Sequence, residues 1–349
     1  MATASSEYAK FERVLNGEAT APEDIPRSAW QHLVGNEFDP GQFIKATIDF
    51  QRKWDWDWVK LHPRATYLAE VWGAQFDPDD YLDKLPRYVE PVIKTTDDLA
   101  KIQPLDPKDS PVLKELVSDA ATVRKEFADR PVIQTLFSPL SILLWLTGLP
   151  RFPHGSNAYG ANPVITSQQL ITENPELAKQ ALSAIAQTLS AYTQWLLEPT
   201  QQGGAGIDGV FYATTGTASE EYYSKAQFDE FSKPYDLEAL KGAEHGVTIL
   251  HTCGAASHPE WFADWPIDIL QWDQYLPGNP PLSADFGHTA LGGVNRSLFT
   301  KGTDPQQVID QIRATFEEFG DRPFLLSPSC SLPLSDNDDL VKLLKSNKF

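Results

Sequence analysis

The chain reads as an α/β protein whose strands and helices alternate into a (β/α)8 TIM barrel. Three observations carry that reading. Short apolar runs bounded by turn residues alternate with longer helix-periodic segments, the signature of a parallel sheet. Eight such runs fall within the 349 residues, a length that suits one barrel with insertions. The residues at the C-terminal ends of those runs are far more polar than the runs themselves, and that end of a barrel is where chemistry sits.

The elements follow in order. Ile25–Val34 follows a Pro/Glu/Asp turn and makes the first strand, and FDPGQFIKATIDFQRKW after it is helical. Asp57–Ala65 is the second strand. A long insertion rich in Asp and Pro covers Phe76–Asp109, before a helix over Val112–Phe127. Pro131–Pro139 is the third strand. Arg151–Pro163, rich in Gly, Pro and Asn, reads as a loop over the barrel mouth that could act as a lid. Pro175–Thr200 is a long amphipathic helix with a proline at its start. Ile207–Thr215 is the fourth strand, and the helix in FDEFSKPYDLEALKGA carries a proline break. Val247–Gly254, Ile267–Asp273 and Ala290–Asn295 are the fifth, sixth and seventh strands. Asp304 caps a helix that Gly320 ends. Pro323–Cys330 is the eighth strand, and DNDDLVKLLKSN closes the chain as a helix. The reading is one domain over residues 1–349, with an N-terminal helical extension.

Composition narrows the function. The formal net charge is −19, which argues against nucleic acid and anionic membrane surfaces, since both need a basic footprint. No apolar stretch is long enough for a transmembrane helix, and the N-terminus lacks an apolar signal core. Two cysteines in the whole chain do not build a disulfide framework. A cytoplasmic, reduced chain is expected.

The strand ends hold the candidate chemistry. In ILHTCG, His251 and Cys253 are two residues apart and so share a face of the fifth strand. Cys330 ends the eighth strand and opens on the same mouth. Two thiolates and an imidazole make a three-ligand set for Zn²⁺ with a fourth position left open. Two other readings stand beside it: small buried thiols with a core histidine, or a Cys/His nucleophile pair, for which no acylation motif is present. Lys60 and His62 share a face of the second strand, where either could bind a substrate anion, or Lys60 could pair with Asp57 or Asp273. Tyr212 is placed so that its hydroxyl could reach the site. Asp273 could act as a general base or orient His251. Gly292 and Gly293 could let backbone approach a ligand, but no phosphate-loop pattern surrounds them.

These stretches, together with DWDWVKLHPRATYLAEVWGAQF, RPVIQTLFSPLSIL, GIDGVFYAT, ALGGVNRSLFTKGTDPQQV and FLLSPSCSLP, resemble the uroporphyrinogen decarboxylase superfamily. That superfamily also holds zinc-dependent corrinoid-protein and coenzyme M methyltransferases. The resemblance covers most of residues 50–345 and implies a TIM barrel. True uroporphyrinogen decarboxylases share an N-terminal MRQAGRY-type segment whose arginines hold substrate carboxylates. Here the region reads RSAWQHLVGNE; the arginine pair is absent, and Arg27 does not match the pattern. The methyltransferase branch has a His-x-Cys…Cys zinc motif, which His251, Cys253 and Cys330 match, the cysteines lying 77 positions apart (330 − 253).

The resemblance therefore implies a zinc enzyme that activates a substrate thiol as a zinc thiolate for attack on a methyl or alkyl donor. That donor would be a small molecule or a corrinoid on a partner protein. The runner-up is a metal-free decarboxylase of a small carboxylate, relying on Lys60, His62 and Arg64. A catalytically silent binding barrel is the third reading. The oligomeric state stays open, a homodimer included.

Overall fold

The computed structural model describes residues 6–18 and 21–346. Among the described residues nine strands form: β1 (Val59–Leu61), β2 (Gln75–Leu82), β3 (Leu85–Glu90), β4 (Val132–Phe137), β5 (Gly209–Thr215), β6 (Val247–Thr252), β7 (Ile269–Gln271), β8 (Thr289–Val294) and β9 (Phe324–Pro328). Seven of them make one parallel sheet in the order β1-β4-β5-β6-β7-β8-β9. The first predicted strand closes it. Leu326 N–H donates to Pro26 O (3.0 Å), Ser28 N–H to Leu326 O (3.2 Å), and Asp57 N–H to Arg27 O (3.0 Å). The segment thus bridges β9 to the chain entering β1, and Ser28 Oγ adds a bond to Trp58 O (2.9 Å). It is shorter than Ile25–Val34, with ladder pairing only at Arg27.

The helices return the chain along the outside of the sheet. Asp39, Ser110 and Asp304 each accept a backbone N–H at the start of the helices Pro40–Trp54, Pro111–Glu126 and Pro305–Phe319. Pro175–Leu197 is the longest helix. The proline-broken segment splits into Lys225–Phe231 and Lys233–Leu240, with Pro234 in the first turn of the second helix. Among the described residues no helix is long and apolar enough to cross a membrane.

Two elements depart from the sequence reading. Pro139–Thr147 is a helix, capped by Ser138, in which every residue is buried. The Asp- and Pro-rich insertion contains the antiparallel hairpin β2/β3, which leans over the barrel mouth.

Side chains pointing into the barrel stack in layers. The lower layer is apolar: Trp58, Ile133, Phe211, Ile249, Ile269, Leu291 and Leu325 pack together, and Phe11 and Val14 of the N-terminal helix Ser6–Leu15 join them. Two residues further along the strands the interior turns polar, with Lys60, Thr135, His251 and Gln271. The larger apolar cluster lies between the sheet and the helices.

Candidate metal centre and its cavity

The pleat delivers two of the candidate ligands. Strand β6 places Ile249 inward, so His251 and Cys253 follow on the same side. Cys253 N–H bonds Thr215 O on the neighbouring strand (2.9 Å), which fixes the residue where β6 ends. Cys330 lies two residues beyond β9. The Sγ atoms of Cys253 and Cys330 and a ring nitrogen of His251 all lie within 4.8 Å of one another. His251 Nε2 stands 3.9 Å from Cys330 Sγ.

The donor set fits a borderline-soft divalent ion such as zinc. Zinc bonds of about 2.0–2.3 Å in tetrahedral array put ligand atoms about 3.5–3.8 Å apart, so closing the cluster takes small side-chain shifts. Both cysteines are free thiols. The neighbouring Cys253 thiol, aided by His251, holds Cys330 well below the usual thiol range. The nearness of Cys330, with burial, pushes Cys253 up. His251 Nδ1 is buried and has no hydrogen-bond partner among the described residues.

The loop after Cys253 is bent tightly. Ala256 and His258 occupy the left-handed region, with φ of 44° and 43°. Asn279 straps this loop in place: its Nδ2 donates to Gly254 O (2.9 Å) and Asp273 O (2.8 Å), and its Oδ1 accepts from Ser257 N–H (2.8 Å).

The cluster opens onto a cavity of about 100 Å³. Lys60, Lys84 and Arg151 line it, and among the described residues no carboxylate does. Lys60 is buried, its ammonium 4.3 Å from the Trp30 ring centroid and 3.4 Å from that of Phe211. Burial lowers its pKa well below the usual lysine value, against the pull of the two thiols. The Arg151 guanidinium sits 4.2 Å over the Trp145 ring, and burial brings its pKa down to about 10. Cations over aromatic faces with only the two thiols and no carboxylate beside them are poised for an anionic ligand.

The other predicted residues are distributed as follows. His62 lines the cavity, but both ring nitrogens are engaged: Nδ1 lies 3.2 Å from Thr135 Oγ1 and Nε2 lies 3.2 Å from His32 Nε2. Asp57 is not the partner of Lys60; it holds Lys345 at 2.9 Å and accepts Arg27 N–H. Tyr212 needs correction. The pleat that turns Phe211 and Ala213 inward turns Tyr212 outward, where its hydroxyl donates to Asp236 Oδ1 (2.6 Å). Asp273 is buried outside the cavity lining and accepts Tyr275 N–H (3.0 Å), leaving His251 Nδ1 without it. Burial raises its pKa.

Arg64 is committed to Glu70 and Glu115, both at 2.9 Å, so it is no free carboxylate clamp. Arg27 ties down the C-terminal segment through Leu344 O and Ser346 O. The Gly292–Gly293 pair serves packing: a Cβ on Gly293 would stand 2.9 Å from Thr315 Cγ2, and one on Gly292 3.1 Å from Leu282 Cδ1. The Arg151–Pro163 loop supplies Arg151 and Phe152 to the cavity and is pinned to the hairpin, Tyr88 N–H donating to Tyr159 O (2.6 Å). Lys84, Arg151 and Glu37 were not foreseen, since they come from loops whose positions only the folded chain defines.

A model of the uroporphyrinogen decarboxylase (URO-D) family matches residues 20–344. No curated protein matches the chain. Among solved structures, a methyltransferase from Methanosarcina mazei is similar, with a TM-score of 0.70 and 15% identity over 98% of this chain and 97% of that one. A B12-independent methionine synthase from Shewanella sp. W3-18-1, solved with selenomethionine, is also similar, with a TM-score of 0.50 and 12% identity over 86% of this chain and 84% of that one. At such identities the likeness is one of fold.

Proposed function

The chain belongs to the uroporphyrinogen decarboxylase family, and within it we propose that it is a metal-dependent transferase moving a methyl or other alkyl group onto a small, anionic thiol. The observation that carries this reading is the His251/Cys253/Cys330 cluster facing a cavity with cations and no carboxylate in its walls. A zinc ion held by these three residues would bring a thiol to its thiolate at neutral pH by Lewis acidity. The remaining work falls to the chain. Lys60, Lys84 and Arg151 bind the acceptor's anionic group and so fix its sulfur toward the cluster. Phe152 and Phe211 exclude water, which keeps the nucleophile from being solvated. A cavity of about 100 Å³ suits a molecule of a few carbons and not a tetrapyrrole. The donor, a methylated small molecule or a corrinoid presented by a partner protein, would have to reach the sulfur through the same cavity.

Decarboxylation of a small carboxylate is the second reading. The same cations favour it, but it leaves the cluster without a task and loses Arg64 to its ion pairs. Elemental analysis separates the two. Protein purified without chelator is expected to carry about one zinc per chain, and Cys330→Ser to lose most of it. Loaded with Co²⁺ instead, the wild type is expected to show a change in its sulfur-to-metal absorption when mercaptoacetate is added. No metal in the wild type, with Cys330→Ser equally stable, overturns the reading in favour of decarboxylation.

A further inference from the structure

We propose that Thr135, His62, His32 and Glu37 form a proton wire that carries one proton between the cavity and Glu37 behind its wall. The proposal rests on the reading that chemistry takes place in this cavity, but not on the metal.

The four groups are contiguous. Thr135 lines the cavity, and its Oγ1 lies 2.9 Å from Leu61 O and 3.2 Å from His62 Nδ1, so the hydroxyl proton has two acceptors. His62 Nε2 meets His32 Nε2 at 3.2 Å, a contact that requires a hydrogen on one of the two nitrogens and a lone pair on the other. His32 Nδ1 faces Glu37 Oε1 at 3.6 Å, a few tenths of an ångström beyond a formed hydrogen bond. Neither of those atoms has another hydrogen-bond partner among the described residues, and the Glu37 side chain is fully buried. A buried imidazole nitrogen and a buried carboxylate oxygen aimed at each other are waiting for a shared proton.

With neutral imidazoles, only two arrangements satisfy the Thr135–His62, His62–His32 and His32–Glu37 contacts together. In the first, Thr135 donates to His62 Nδ1, His62 Nε2–H donates to His32 Nε2, and His32 Nδ1–H donates to the Glu37 carboxylate. In the second, Glu37 is a carboxylic acid donating to His32 Nδ1, His32 Nε2–H donates to His62 Nε2, His62 Nδ1–H donates to Thr135 Oγ1, and Thr135 donates to Leu61 O. The second holds one proton more than the first. A proton given up in the cavity to Thr135 Oγ1 converts the first into the second. Each O–H or N–H bond along the row breaks as the next one forms, and the added charge ends on Glu37 as its neutral acid. Running backward, the wire returns that proton to the cavity.

The surroundings favour neutral imidazoles throughout. Both rings are buried, and burial lowers the pKa of each, for His32 against the pull of Glu37. Lys60 and Lys84 face both rings, and His251 also faces His62. Around Glu37, the Tyr81 hydroxyl stands 3.5 Å from Oε2, and Arg64 Nη1 donates to the backbone oxygen (3.2 Å). The imidazoles therefore pass a proton along the row and do not keep it, and Glu37 is the acid at its end. A thiol that ionises in this cavity sheds such a proton where water has little access.

The test is ¹⁵N NMR of the histidine side chains in the full-length protein as purified, titrated from about pH 5 to 9. Signals are assigned by their loss in His32→Gln and His62→Gln. Both rings are expected to stay neutral and to exchange the nitrogen that bears hydrogen together, in a single one-proton transition. Glu37→Gln is expected to abolish that transition. Independent charging of either ring, tautomers that never change, or a transition that survives in Glu37→Gln overturns the proposal. The wild-type titration decides even where a variant fails to fold. It needs neither metal nor thiol, so its failure is distinct from failure of the alkyl-transfer reading.

Discussion

Lys60 shows how far a single residue in this cavity departs from ordinary packing. Its ammonium lies between Trp30 and Phe211 with no carboxylate in the cavity wall. Desolvated cation–π contacts return about 2 kcal/mol each, while the effective penalty for burying an ion runs to several kcal/mol. The net sign is unfavourable, consistent with the lowering of its pKa by burial. Lys60→Met keeps the length of the side chain and removes the charge. It is expected to raise the stability of the metal-free protein by about 1–3 kcal/mol, and to weaken binding of mercaptoacetate at least tenfold. Denaturant melts and a binding titration read the two effects separately. A variant that is less stable than the wild type and binds as tightly would mean that Lys60 is structural.

At the scale of elements, the candidate metal centre depends on a loop that has little reason of its own to hold its shape. The turn from Cys253 to Pro259 places Ala256 and His258 in left-handed conformations, which cost free energy and persist only when their surroundings impose them. Asn279, from the loop after β7, supplies that constraint by bonding Gly254, Ser257 and Asp273. Asn279→Ala leaves these groups unpaired and is expected to cost about 1–3 kcal/mol. It should also speed metal loss to a chelator by an order of magnitude or more, although residue 279 is no ligand. Chelator kinetics at a temperature well below the melt are the measurement, and an unchanged rate would detach the strap from the site.

The same scale explains what the sequence disclosed. Seven barrel strands were legible because each is a short apolar run between turn residues, while the eighth position, Ile25–Val34, pairs only at Arg27; His251, Cys253 and Cys330 were legible because they stand at the ends of such runs. The helix Pro139–Thr147 was hidden by its burial on all sides, which erases the amphipathic period. The hairpin β2/β3 was hidden in QFDPDDYL, a polar stretch that pairs with its own neighbour and not with the barrel. Tyr212 was misjudged by one step of the pleat: β5 pairs Ala213 with His251, so Ala213 faces in and Tyr212 faces out. Lys84 and Arg151 carry no local signal, because a cation in a loop becomes a ligand-binding group only when the loop is folded over the mouth.

At the scale of the whole molecule, the cavity's sign opposes that of the protein. The chain carries a formal charge of −19, yet the cavity is walled by Lys60, Lys84 and Arg151. An approaching anion meets repulsion first and attraction only at the mouth. The two fields differ in how salt acts on them. The Debye length is about 30 Å at 0.01 M and about 8 Å at 0.15 M ionic strength, so added salt removes the long-range repulsion of the surface. Contacts inside a buried cavity are screened much less. For mercaptoacetate the association rate is therefore expected to rise about two- to tenfold between those salt concentrations, with the dissociation rate nearly unchanged. Stopped-flow quenching of tryptophan fluorescence, to which Trp30 in the cavity wall contributes, gives both rates. A cationic thiol such as cysteamine should show the opposite salt dependence and bind poorly at every concentration, because the global field draws it in and the cavity rejects it. If salt slows the anion instead, the attraction of the mouth reaches beyond the surface charge, and selection by the cavity's own cations would no longer account for the preference.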